Sequence, residues 1–166
     1  DGPERTGSTR LPDGRMLGWA EWGPATGSPV LLCPGAATSC SLGFGAGVLA
    51  RLGVRLISLD RPGLGSSTVS PGRTLLDWAE DVRHFVQARG LHGASVVGFS
   101  QGAPFALACA ARAVVAGAAV VSGGDELAHS GLRPLLVPAV AELVDRVATD
   151  PIGAEAYFAG MTAQAM

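Results

Sequence analysis

The residues in this sequence best suited to chemistry are Gly98-Phe99-Ser100-Gln101-Gly102. A β-branched apolar run, Val96-Val97, leads into them, and a small-residue stretch, Ala103–Arg112, with the periodicity of a helix, follows at once. Strand, sharp turn and helix with serine at the corner make a nucleophile elbow. In such a turn the serine is held in strained backbone geometry, and glycines at Gly98 and Gly102 remove side chains that would strike the neighbouring strand and helix. The hydroxyl then stands free at the end of a strand, and the following helix N-terminus adds positive partial charge where an oxyanion would form. The chemistry this suits is nucleophilic attack on a carbonyl carbon; an ordinary tight turn is the plainer reading of the same pentad.

Other reactive residues are few. Of the three histidines, His84 falls inside an amphipathic helical stretch and His92 precedes the Val96-Val97 run, at the end of the strand opposite the serine; both read as exposed structural residues. Asp125 and His129 follow a later apolar run, Gly117–Val121, and so fall at the serine's end of the sheet, while Asp145 and Asp150 read as surface or cap positions. Cys33, Cys40 and Cys109 form no CxxC pair and no metal-ligand spacing; Cys33 and Cys109 lie in apolar runs, as small buried hydrophobes in a reducing compartment do. No phosphate loop or dinucleotide fingerprint is present, and no cofactor is expected.

The elements that must position Ser100 can be read in order. Asp13-Gly14 between two extended runs, Ser8–Leu11 and Arg15–Trp22, signals a hairpin. Val30–Cys33 and Val54–Leu59 are short, apolar strands, as expected inside a sheet covered on both faces. Ser41–Leu52 reads as a glycine-broken helix with Gly53 as its stop. Thr74 with Asp77 has the form of a capping box, and the helix after it places Leu75, Trp78, Ala79, Val82, Phe85 and Val86 on one stripe, with Glu80, Asp81, Arg83 and Gln87 toward water. Alternating strands and helices from Val30 onward build a mostly parallel sheet with helices on both faces and an antiparallel hairpin at its start. Its site-bearing loops are Pro34–Ser39, Asp60–Ser67, the Ser100 turn and Ser122–Glu126. Residues 125–166 differ: apolar residues at helical spacing, with Pro138 interrupting a single straight helix, read as the start of a helical cap over the core formed by 1–124.

Bulk properties exclude several classes. With 166 residues, 48% hydrophobic and 16% charged, the chain is a folded domain rather than a disordered one. A formal charge of −2 without a basic block disfavours a nucleic-acid partner. Ala103–Val121 is nearly all apolar but divides into helix and strand around Arg112, so it reads as core and no membrane span is expected. The amino-terminal residues do not resemble a signal peptide, which fits a cytoplasmic location.

Three motifs in this order, Leu31-Leu-Cys-Pro-Gly-Ala36, Asp60-Arg-Pro-Gly-Leu-Gly-Ser-Ser67 and Gly98-Phe-Ser-Gln-Gly102, resemble the α/β-hydrolase superfamily, and the second motif with the helix after Ser100 is similar to bacterial members. The resemblance covers about Leu11 to Gly124. It implies the α/β-hydrolase fold, with Ser100 as nucleophile and the backbone N–H groups of Ala36 and Gln101 as oxyanion donors. The Asp60 loop would shape one wall or serve as a structural turn. Pro34 stands where the superfamily usually has histidine. Some members carry an acid at the position of Asp125, which makes it a minor candidate for the acid; His129 as base stands against its plainer reading as a solvated loop histidine. The usual acid and base come later, in the order Ser, Asp or Glu, His, which places both outside this sequence and the sheet incomplete at its C-terminal side. The function implied is an esterase-like serine hydrolase of a small, apolar substrate, completed by a C-terminal fragment or a second copy; the alternative is a non-catalytic binding or scaffold protein of the same fold, or an inactive fragment.

Overall fold

The computed structural model describes residues 2–36, 38–124 and 126–165, the last five as helical backbone only. They form two units, 1–123 and 124–166. The first holds a six-stranded sheet. Its strands are β1 (Arg5–Arg10), β2 (Met16–Trp22), β3 (Ser28–Cys33), β4 (Val54–Leu59), β5 (Ser95–Phe99) and β6 (Gly117–Val121), in the spatial order β1-β2-β4-β3-β5-β6. The hairpin pairs antiparallel, and β2 joins β4 antiparallel; β4, β3, β5 and β6 run parallel. The parallel register sets Cys33 beside Gly98, so the loop after β3 leaves the sheet next to the turn that carries Ser100.

Apolar strands are covered on both faces because successive residues point opposite ways. On one face Leu17, Leu31, Ile57, Leu59 and Val96 pack with Trp78, Val82 and Phe85 of α2 (Leu75–Ala88) and Ala106 and Cys109 of α3 (Ala103–Ala111). On the other, Ala20, Trp22, Leu32 and Leu56 pack with Leu49 of α1 (Ala46–Leu52). Trp78 and Phe85 are fully buried, each worth about 1.5–3 kcal/mol by area. The Thr74–Asp77 capping box is formed in both directions at the start of α2.

Four expectations need correction. The helix read from Ser41 begins only at Ala46, because Gly45 takes a left-handed φ of 68° and residues 42–45 form no regular element. Asp81, read as facing water, is buried: it accepts a bidentate pair of hydrogen bonds from Arg15, at 2.8 and 2.6 Å, which turns the carboxylate inward. Leu75, placed on the buried stripe, is exposed at the helix's first turn. The Gly117–Val121 run forms the expected strand, but all five of its residues are exposed rather than core, since β6 is an edge strand of small side chains.

The second unit contains α4 (Pro138–Thr149) and α5 (Pro151–Ala165), and no strand among its described residues. Pro138 starts α4 instead of kinking a longer helix, as its missing N–H favours. Arg133 pairs with Asp145, and Asp150 accepts from the Gly153 N–H at 3.0 Å in the first turn of α5. No described helix is long and apolar enough to cross a membrane.

Candidate active site

Ser100 sits at the carboxyl end of β5, on a single 3-10 turn that runs into α3. Its φ is +52°, a left-handed value that costs a non-glycine residue on the order of 1 kcal/mol or more and persists only where the surroundings enforce it. The enforcement is visible at the two glycines. A Cβ at Gly98 would stand 2.7 Å from the Ala103 Cα and 2.8 Å from the Ala106 Cβ. At Gly102 it would overlap the carbonyl oxygen of Cys33. Strand, turn and helix are therefore in backbone contact, and the side chain left to project from the corner is the partly exposed Ser100.

The loop after β3 closes on the same point. A Cβ at Gly35 would lie 3.3 Å from the Ser100 Cβ and 3.4 Å from the Phe99 ring. Ala36 and Gln101, the two residues expected to offer backbone N–H groups, are both exposed in the loops flanking Ser100. Phe99, the residue before Ser100, meets Phe44 edge to face at 5.3 Å between ring centroids, and Phe44 is 47% exposed. Beyond β6, Ser122 also carries a positive φ, of 51°.

Asp60 is a structural residue. Its carboxylate, 1% exposed, accepts from the backbone N–H of Cys40 at 2.5 Å and of Ser66 at 2.9 Å, tying the loop after β3 to the loop after β4. A Cβ at Gly65 would overlap that carboxylate, which accounts for glycine at that position of the motif.

Neither histidine of the first unit faces Ser100. His84 lies within α2, beside Leu11 and Pro12 of the hairpin turn. His92 lies in the connection into β5, at the strand's opposite end. His129, in the second unit, accepts the Gly131 N–H at 3.1 Å through Nδ1. Asp125 lies outside the described residues. Among the described residues no three acidic, histidine or cysteine side chains cluster as a metal site would require.

The cysteines do not compete as nucleophiles. All three are buried free thiols. Burial pushes Cys40 up to about 12 and Cys109 up to about 11, and raises Cys33 as well, so each stays protonated at neutral pH.

Two arrangements escaped the sequence reading. Glu21, fully buried on β2, is held by Arg5, Arg55 and Arg89 at 2.9, 2.8 and 2.6 Å, and the Arg89 guanidinium lies 3.6 Å from the Trp19 ring centroid. The other is Arg61, 8% exposed, whose Nη2 donates to the Gly35 carbonyl oxygen at 2.7 Å. Arg61 belongs to the Asp60–Ser67 motif, but nothing in the motif's spacing tells which way the guanidinium turns.

This sheet order, with a serine at a strained strand-to-helix corner, defines a class. The chain belongs to the alpha/beta hydrolase fold family, whose sequence model matches residues 28–166. It is similar to the crystallised esterase RhEst1 from Rhodococcus sp. ECU1013, with 33% identity and a TM-score of 0.54, covering 72% of this chain and 45% of that one. An alpha/beta hydrolase from Sphaerobacter thermophilus DSM 20745 is 26% identical, with a TM-score of 0.57, over 89% of this chain and 61% of that one. The esterase EaEST from Exiguobacterium antarcticum is 25% identical, with a TM-score of 0.51, over 62% and 38%. The chain thus spans about two fifths to three fifths of the length of these three. TT1977, 23% identical, shares the fold over 80% of this chain and 98% of its own. No curated protein matches the sequence.

Proposed function

We propose that this chain carries the nucleophile half of a serine hydrolase acting on an ester or related acyl bond of a small apolar substrate. The observation that carries the reading is the +52° φ of Ser100, maintained by backbone packing at Gly98 and Gly102 with the Gly35 backbone alongside. Strain at the partly exposed Ser100 brings no packing benefit of its own; it would hold the hydroxyl clear of the sheet. Ser100 Oγ forms a bond to the acyl carbon while its proton passes to a histidine base. The carbonyl electron pair moves to oxygen, where the N–H groups of Ala36 and Gln101 receive it. Collapse expels the alcohol, which takes the proton back from the histidine. Water then repeats the sequence on the acyl-enzyme and releases the acid and the free serine.

The described histidines of the first unit do not face Ser100, and the family's order of Ser, acid, His supports a base and acid supplied from outside this sequence, by a C-terminal fragment or a second copy that completes the sheet. Esterase neighbours and the Phe44–Phe99 ring pair beside the Ser100 turn support an apolar acyl substrate. A bacterial, cytoplasmic setting fits the origin of those neighbours and three buried free thiols.

The test is fluorophosphonate labelling and p-nitrophenyl butyrate turnover by the full-length polypeptide. Ser100→Ala is expected to abolish both. Retained labelling or turnover in Ser100→Ala would sink the assignment, and a folded wild-type polypeptide inert to both probes would favour a hydrolase-shaped binding protein instead.

A further inference from the structure

Arg61 is unusual among the arginines of this chain. It is 8% exposed, and among the described residues no carboxylate pairs with it. Burial pushes its guanidinium below the ordinary arginine value. A buried cation without a counter-ion is costly and needs a compensating role. Its contacts show where that role lies. Nη2 donates to the Gly35 carbonyl at 2.7 Å, and the guanidinium carbon lies 5.1 Å from the centroid of the Phe105 ring on α3, the helix that follows Ser100. The same Gly35 oxygen accepts a second hydrogen bond, from Thr38 Oγ1 at 2.9 Å.

The Gly35 carbonyl and the Ala36 N–H are two ends of one peptide group. That group is planar, and in its trans form the N–H points away from the C=O. Donors fixed on the oxygen therefore fix the direction of the N–H. They also draw electron density toward the oxygen, which makes the N–H a stronger donor; one of the two bonds here is charge-assisted and buried, the condition in which this effect is largest. The peptide so held begins at Gly35, the residue whose backbone lies against Ser100.

We infer that Arg61, with Thr38, is a positioning residue for the oxyanion hole: by gripping the Gly35 carbonyl it aims and polarises the Ala36 N–H toward the oxyanion formed at Ser100. This deepens the reading of Ser100 as nucleophile and rests on it. The buried positive charge behind the peptide also has the sign that stabilises negative charge on the substrate oxygen, with the peptide dipole relaying it.

The experiment uses the full-length polypeptide with p-nitrophenyl butyrate as substrate and butylboronic acid as the tetrahedral mimic. Wild type, Arg61→Met, Arg61→Lys and Thr38→Val are compared by kcat, KM, boronate inhibition constant and melting temperature. Removing an oxyanion donor outright costs roughly 100- to 1000-fold in kcat, so loss of its orienting partner in Arg61→Met is expected to cost about 30-fold. KM should change less than about twofold, and the boronate constant should weaken by a factor similar to that in kcat. Arg61→Lys should recover most of the loss, and Thr38→Val should lose about threefold in both kcat and boronate affinity. The inference is overturned if folded Arg61→Met keeps kcat within about threefold of wild type, or if kcat falls with boronate affinity unchanged. Should Arg61→Met not fold, Thr38→Val decides: unchanged boronate affinity there also overturns it. Turnover surviving Ser100→Ala would instead remove the underlying nucleophile assignment, so the two failures are distinct.

Discussion

Gly102 lies directly against the backbone of Cys33: a side-chain carbon at Gly102 would overlap the Cys33 carbonyl oxygen and stand 2.6 Å from its carbon. This contact joins the end of β3 to the turn that carries Ser100. It is a backbone-to-backbone contact, so no rotamer change can relieve a substitution. Gly102→Ala is expected to destabilise the fold by about 1–3 kcal/mol or more, read as a lower denaturant midpoint, and to remove fluorophosphonate labelling in whatever protein remains folded. A variant as stable as wild type would show that the two strands' ends are free to part.

Asp60 supports the same region through charge. Its two oxygens accept from two separate backbone N–H groups, Cys40 on Oδ1 and Ser66 on Oδ2. Asparagine offers one acceptor and sets an amide N–H₂ against the other donor. Asp60→Asn should therefore cost about 1–3 kcal/mol in chemical denaturation. If Asp60 instead acted on substrate, stability would hold and turnover alone would fall.

Glu21 governs an acid limb of stability. Burial works to raise its carboxyl, but hydrogen bonds from Arg55 and Arg5 and the charge of Arg89 prevail and hold it below its ordinary value of 4.5. A carboxyl lowered in the folded state contributes stability that is present above the unfolded value and lost as pH falls through the folded one. Wild type should lose stability as pH drops below about 4.5, and Glu21→Gln should lose less over that range while being weaker by about 3 kcal/mol at pH 7, where three arginines are left around a neutral amide. Asp13, Asp77 and Glu80 are also held low, so the difference between the two proteins, not the wild-type curve alone, isolates Glu21. Parallel curves for wild type and variant would refute the assignment.

What could be read from sequence followed locality. Val54–Leu59 and Gly117–Val121 are strands with the bounds their apolar runs suggest, and Thr74 caps α2 through Asp77, because each depends on neighbours along the chain. The start of α1 is not legible in the sequence, because apolar spacing cannot tell that Gly45 leaves the helix. The burial of Asp81 is not legible along the helix, because its partner, Arg15, is 66 residues away. Glu21 shows the same limit: an alternating strand shows which face it occupies, not that three distant arginines converge there.

The sequence by itself determined the elbow and its companions: the Ser100 turn between strand and helix, the glycines that let backbones approach, and the alternation that makes a parallel sheet covered on both faces. These are short-range properties of residue type and period. Only the tertiary structure decided that the loops after β3 and β4 are laced together by Asp60, and that Arg61 turns its charge onto the peptide beside the nucleophile. Those depend on side chains brought together across the sheet, and the direction of a long, flexible guanidinium is set by what surrounds it rather than by what precedes it in the chain.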